Sequence, residues 1–126
     1  MSYRTDYSRA RGWGTAHEGV HHFWMQRITA ISLIPLTIFF VFPFANALGS
    51  GYEAVRETYQ NGWNAFIAIS FIIVALWHLK LGLEVIIDDY VHSKPLHLTL
   101  LLANFILNGA FAIAGVFAVA KIAFSA

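Results

Sequence analysis

Three long apolar stretches, covering residues 22–48, 62–88 and 97–124, make up most of this 126-residue chain. About 20 apolar residues in a helix cross the hydrocarbon core of a bilayer, so each stretch is long enough. None of them alternates apolar and polar residues, as a strand of a membrane barrel does. We therefore predict an all-α membrane protein with three transmembrane helices, forming a single domain over residues 1–126 with a head of residues 1–21.

The composition excludes the other broad classes of small protein. The chain is 58% hydrophobic and 12% charged, whereas soluble domains are about 45–50% apolar and about 25% charged. A chain this short cannot bury so much apolar surface in its own core. It has no cysteine, which excludes a disulfide-stapled module, a thiolate iron–sulfur site and a cysteine nucleophile. The apolar surface is expected to face the lipid bilayer and partner subunits.

The positive charges near the span ends predict the orientation, because cytoplasmic loops carry an excess of lysine and arginine. Residues 1–27, up to the uncharged run that begins at Ile28, carry four arginines: Arg4, Arg9, Arg11 and Arg27. The loop over residues 49–62 carries only Arg56, and the loop over residues 88–97 carries Lys94. This distribution predicts that the N-terminus lies in the cytoplasm (or matrix) and the C-terminus on the opposite side. The expected location is the bacterial inner membrane, with multiple spans, a cytoplasmic N-terminus and a periplasmic C-terminus.

The second span holds an ionisable side chain well inside the membrane, His78, and such residues are functional candidates because burying them is costly. His78 precedes Asp89 by eleven residues, which is about 20° from three full helical turns and about 16 Å along the axis. The shared face also carries Gly82, one turn after His78. An imidazole can ligate haem iron, and a glycine beside it leaves room for the porphyrin. The alternative is a histidine hydrogen-bonded to a neighbouring helix.

The remaining histidines lie at or beyond the span ends that are predicted to be cytoplasmic: His17, His21, His22, His92 and His97. His78 is about three helical turns deeper. Helices at fixed depths cannot bring a surface histidine to the iron that His78 would hold. If two histidines ligate a haem, the second must therefore come from another chain, so haem and a partner membrane subunit form one linked prediction.

Other charged and polar residues have both a functional and a structural interpretation. Arg27 is either an anchor that reaches the membrane surface or a cation that pairs with haem propionates. Asp89 and Tyr90 are either an interfacial acid and aromatic or a site that hydrogen-bonds a quinone carbonyl and supplies protons. Lys80 and Glu84, spaced i and i+4, are expected to pair with each other and to have no cofactor role.

Two segments resemble a known family, the hydrophobic membrane anchor subunits of succinate dehydrogenase, also called respiratory complex II. The first is VHHFWMQRITA at residues 20–30, which is similar to the family pattern His-x-Phe-x-x-x-Arg-x-Thr-Ala. The second is His78-x3-Gly82-x6-Asp89-Tyr90, in which four residues are in register with the family pattern. The chain departs from the pattern at His22, where some relatives carry an acidic residue, which leaves a proton-relay role of His21 and His22 open.

The resemblance implies a specific function for these residues. His78 is expected to be an axial ligand of haem b, with the second ligand from a cytochrome b subunit, and Arg27 to lie near the haem propionates. Tyr90 is expected to hydrogen-bond ubiquinone, with Asp89 nearby. The implied partners are the cytochrome b, iron–sulfur and flavoprotein subunits, with the three spans packed against the cytochrome b subunit in a helical bundle. Succinate chemistry belongs to other subunits, and no nucleic acid is expected.

Three alternative functions are compatible with a chain of three spans. The closest is the anchor of a fumarate reductase or of another b-type cytochrome complex. The second is a small multispan transporter subunit, for which Glu84 is the available acid within a span. The third is a structural anchor with no cofactor, which explains the spans but not the register of His78, Gly82, Asp89 and Tyr90.

Overall fold

The structure, a computed structural model, describes residues 18–125 and consists there of four helices. Helix α1 covers Glu18–Ala47, α2 covers Tyr52–Gln60, α3 covers Gly62–Tyr90 and α4 covers Lys94–Ala123. Three of them, α1, α3 and α4, are long and apolar enough to cross a membrane. The predicted all-α class with three apolar helices is thereby confirmed, and the chain is a multi-pass membrane protein. Residues 1–17 of the predicted head, including His17, lie outside the described part.

The helices extend beyond the predicted spans at one end of the bundle. Helix α1 begins at Glu18 and α4 at Lys94, each a few residues before the predicted start of its span. The connection between α3 and α4 is therefore only residues 91–93, shorter than the expected loop over residues 88–97. Pro35 and Pro43 lie inside α1 without ending it, as membrane helices allow.

The connection between the first two spans contains a short helix, α2, that the apolar pattern did not predict. Its sequence is strongly amphipathic, and helices of this kind form where one face can be buried. Tyr59 is the buried residue of α2, and burial raises the pKa of its hydroxyl. Asn61 then caps α3, since its side-chain oxygen accepts hydrogen bonds from the backbone N–H groups of Trp63 and Asn64.

Helix α3 lies in the centre of the bundle, with α1 on one side and α4 on the other. Small buried residues, Ala65 and Ala68, let neighbouring helices approach α3 closely. Against α1, the rings of Phe40 and Phe71 stack with their centroids 4.5 Å apart. Against α4, Ile72 of α3 packs on Gly115 of α4, and a Cβ at Gly115 would lie only 3.0 Å from Ile72 Cγ2.

Little of the apolar surface is buried within the described chain. The buried apolar residues are few and mostly small: Ala47, Tyr59, Ala65, Ile67, Ala68 and Leu81. Large side chains on all three long helices remain exposed, for example Ile31, Phe66 and Ile113. A soluble protein does not leave such surfaces open, whereas lipid covers them at no cost. Packing against a second membrane subunit stays a prediction.

Candidate functional site

The contact between α1 and α3 carries a row of polar side chains that enters the bundle from the end with the α3–α4 turn. His22, Gln26 and Thr29 on α1 are spaced by four and three residues, so they share one helix face. This face meets α3. His22 lies 3.4 Å from Glu84, and Thr29 lies 2.9 Å from His78. From His22 to Thr29 along α1, the contacted residues on the antiparallel helix α3 run back from Glu84 to His78. His78 therefore lies at the end of the row that is deepest in the bundle.

Thr29 and His78 form the deepest polar contact between α1 and α3. Thr29 Oγ1 is 2.9 Å from His78 Nδ1. The same oxygen donates within its own helix, where the carbonyl oxygens of Met25 and Gln26 lie 2.8 Å and 3.1 Å away. Thr29 is only 7% exposed, so this contact is shielded. One ring nitrogen of His78 is therefore occupied by a buried side chain.

The other ring nitrogen of His78 is free. Nε2 forms no hydrogen bond within residues 18–125 and is not one of the fully enclosed, unbonded polar atoms there. A half-buried imidazole with one nitrogen bonded and the other unbonded fits an axial ligand of haem. Gly82, one turn further, faces α1, because a Cβ there would lie 3.6 Å from Gln26 Nε2.

The Lys80–Glu84 pair predicted from sequence is confirmed and has a third member. Glu84 Oε1 contacts Lys80 Nζ, while Glu84 Oε2 lies 3.4 Å from His22 Nε2 without the alignment of a hydrogen bond. All three side chains are about one-fifth to one-third exposed. His22, expected near the predicted cytoplasmic end of its span, thus joins Lys80 and Glu84 in a polar cluster between two helices. Sequence reasoning did not predict this contact.

Arg27 does not lie on the α1 face that meets His78. It follows Gln26 and precedes Thr29 by two residues, so it points about 160° away from Thr29 around the helix. Its guanidinium lies over the Phe23 ring, 5.1 Å from the centroid, in a cation–π contact. The structure therefore does not bring Arg27 into contact with His78.

Asp89 and Tyr90 end α3, and both are exposed. Helix α3 is unbroken from Gly62 to Tyr90, so the register that places His78 and Asp89 on one face holds. Asp88 is the helix-end acid, and its Oδ1 lies 2.8 Å from His97 Nε2 on α4. This contact ties the two sides of the α3–α4 turn together beside Tyr90.

A buried pair of asparagines on α4 is a polar feature that sequence reasoning missed. Asn104 Nδ2 donates to the backbone oxygen of Lys80 at 2.9 Å. Asn108 Nδ2 donates to the backbone and side-chain oxygens of Asn104, at 2.9 Å and 2.7 Å. Two asparagines at i and i+4 in an apolar helix are the signal, because amides inside a membrane face other helices. Asn104 thereby joins α4 to α3 just after His78, while Asn108 bonds to Asn104 within α4.

A groove of about 200 Å³ lies between α3 and α4, lined mainly by apolar side chains together with Lys80 and Asn108. No histidine lines this groove. Nor do residues 18–125 gather three His, Asp or Glu side chains as a metal-binding group. Haem does not require such a group, because the porphyrin supplies four nitrogen ligands and a protein chain can supply a single imidazole. Among the described histidines, His78 lies deepest within a long apolar helix, so its Nε2 is the candidate ligand.

Comparison with known proteins identifies the family. A family model described as "Succinate dehydrogenase/Fumarate reductase transmembrane subunit" matches residues 1–117. The succinate dehydrogenase hydrophobic membrane anchor subunit of Paracoccus denitrificans is 36% identical over 90 residues, which is 71% of this chain and 70% of the relative. The subunit of that name from Rickettsia bellii is 31% identical over 102 residues, which is 80% of this chain and 81% of the relative. No solved structure matches significantly.

These matches agree with the three apolar helices and with the resemblance carried by the two motifs. They support a membrane anchor subunit of succinate dehydrogenase, which makes the chain a subunit of an enzyme complex. The chain belongs to the succinate dehydrogenase/fumarate reductase transmembrane subunit family.

Proposed function

We propose that this chain anchors a succinate:quinone oxidoreductase and that His78 Nε2 is one axial ligand of a haem b shared with a cytochrome b subunit. The observation that carries the proposal is the state of His78. Its Nδ1 is held by a buried hydroxyl at 2.9 Å, and its Nε2 is unbonded within the described chain. A bound haem b would supply a one-electron redox centre next to the route of electrons to quinone.

Tyr90 and Asp89 form part of the proposed ubiquinone-reduction site. Both are exposed at the end of α3, on the edge of the apolar bundle. Quinones reside in the lipid and take up protons from water, so their reactive carbonyl needs a site at this boundary. The Tyr90 hydroxyl would donate a hydrogen bond to a quinone carbonyl. Asp89, the neighbouring carboxylate, would hold a proton or a cationic group near the bound quinone.

The other steps of the reaction are assigned to partner subunits. Succinate is oxidised in the flavoprotein subunit, and the iron–sulfur subunit passes the electrons on, which places the complex in the tricarboxylic acid cycle and in aerobic electron transport. The chain contributes Arg27 as a cation for the haem propionates, an assignment that rests on the family pattern alone. The apolar faces of α1, α3 and α4 that stay open within the described chain leave room for the cytochrome b subunit and for lipid.

The proposed location is the bacterial inner membrane, with the N-terminus in the cytoplasm and the C-terminus in the periplasm. The start of α1 and the end of α3 lie at the same end of the bundle, as the contact between His22 and Glu84 requires. This end, with the arginine-rich head and the proposed quinone site, would face the cytoplasm and receive the two soluble subunits. The opposite end carries α2.

The test is a reduced-minus-oxidised visible spectrum of the purified complex, with haem measured per flavin. His78→Ala is expected to remove the low-spin b-type signal while the flavin content stays unchanged. His92→Ala is the matched control, since His92 is exposed in the α3–α4 turn, and it should keep the signal. An unchanged spectrum in His78→Ala would disprove the assignment of the ligand.

A further inference from the structure

We propose that Thr29 is a positioning residue for His78: its hydroxyl holds the imidazole in the tautomer that carries a proton on Nδ1 and keeps Nε2 unprotonated for iron. The inference rests on the proposed function, because it concerns how His78 ligates a haem. It assigns a role to a residue of α1 that touches neither the iron nor the quinone in the proposal.

The tautomer follows from counting donors and acceptors around the Thr29 hydroxyl. A threonine hydroxyl has one proton to donate and two lone pairs to accept with. Two backbone carbonyl oxygens, of Met25 at 2.8 Å and of Gln26 at 3.1 Å, can only accept from it. With its proton given to a carbonyl, Oγ1 accepts from the third neighbour, His78 Nδ1 at 2.9 Å. Nδ1 therefore carries the proton of the neutral ring, and Nε2 keeps its lone pair.

The contact also fixes the direction of the imidazole ring. Thr29 is β-branched, which restricts its side chain to few rotamers in a helix, and it is only 7% exposed. Within residues 18–125, it is the one side chain that is hydrogen-bonded to His78. A histidine that binds metal through one nitrogen and donates from the other is a stronger ligand, and such partners are worth about 10- to 100-fold in metal affinity.

The experiment compares side chains at position 29 in the intact, purified complex. Thr29→Val keeps the branched shape without the hydroxyl, Thr29→Ala removes the hydroxyl without adding bulk, and Thr29→Ser keeps the hydroxyl. The control is Ser32→Ala on the same helix, because within the described residues the Ser32 hydroxyl bonds only the Ile28 oxygen of its own helix, at 2.8 Å. The readouts are haem per flavin during titration of haem-depleted complex with haemin, and the midpoint potential of the bound haem.

Both variants without the hydroxyl are expected to bind haem about 10- to 100-fold more weakly. Their midpoint potential should rise, because a less basic imidazole stabilises ferric iron less than before. A tenfold larger loss for the ferric than for the ferrous form corresponds to about 59 mV in a one-electron couple. Thr29→Ser should restore the affinity and the potential, and Ser32→Ala should match the unaltered complex.

Several results would overturn the inference. Unchanged haem affinity and potential in Thr29→Val and Thr29→Ala would show that the hydroxyl has no effect on the ligand. A defect in Thr29→Ser as large as in Thr29→Val would show that side-chain packing matters rather than the hydrogen bond. The two proposals fail differently: if His78→Ala keeps its haem, the assignment of the ligand itself is wrong, whereas loss of haem in His78→Ala with normal Thr29 variants refutes only the role of Thr29.

Discussion

The close contact of Gly115 on α4 with Ile72 on α3 predicts that Gly115→Ala is less stable than an alanine placed at an open glycine of the same helix. A Cβ at Gly115 would lie 3.0 Å from Ile72 Cγ2 and 3.3 Å from Ile72 Cδ1, closer than ordinary van der Waals contact. Overpacking of this kind costs about 1–3 kcal/mol. The gain from replacing a helical glycine with alanine is at most about 1 kcal/mol. The net effect is therefore zero to moderately destabilising.

Gly109→Ala on the same helix is the matched control, because nothing lies within 4 Å of a Cβ at Gly109. Both variants receive the same gain in helix propensity, so the difference between them isolates the contact with Ile72, about 1–3 kcal/mol. The assay is the half-life of the purified complex at a fixed elevated temperature, a measure of kinetic stability. The half-life of Gly115→Ala should be shorter than that of Gly109→Ala, by a factor of at most about 5 for 1 kcal/mol and about 150 for 3 kcal/mol. Equal half-lives would refute the packing described for α3 and α4.

Two further predictions concern the quinone site and the charged cluster. Tyr90→Phe should lower the rate of quinone reduction by about tenfold, the value of one hydrogen bond, while succinate oxidation by a soluble dye continues. Tyr52→Phe, at an exposed tyrosine of α2, is the control. Equal loss of both activities in Tyr90→Phe would contradict a quinone role. Glu84→Gln should cost about 1–3 kcal/mol in the same half-life assay, less than for a fully buried pair, because both partners are part-exposed. The double variant Lys80→Leu with Glu84→Leu should recover most of this lost stability. A double variant as unstable as Glu84→Gln would show that the unpaired charge is not the cause of the loss.

The features that depend on a single helix could be predicted from the sequence. Three apolar stretches predicted three long helices because length and hydropathy decide whether a helix enters a membrane. The face shared by His78 and Asp89 follows from the pitch of one unbroken helix, α3. The pair of Lys80 and Glu84, four residues apart on that helix, is confirmed for the same reason.

The features that depend on how two helices meet could not be predicted in this way. The contact of Thr29 with His78, and that of His22 with Glu84, requires the register between α1 and α3. Helical periodicity places residues on a face but does not determine which neighbour that face meets. The spacing of His22, Gln26 and Thr29 did contain the signal of a polar face. Helix α2 was missed because it is amphipathic rather than apolar throughout.

The most direct test of the central claim is chemical rescue of the proposed iron ligand. In the purified complex with His78→Gly, the imidazole is removed and a cavity of its shape is left next to Thr29. If His78 ligates the iron, the low-spin b-type spectrum is lost, added imidazole restores it in a saturable manner, and imidazole leaves the unaltered complex unchanged. A His78→Gly complex that keeps its low-spin spectrum without added imidazole would show that His78 is not the ligand.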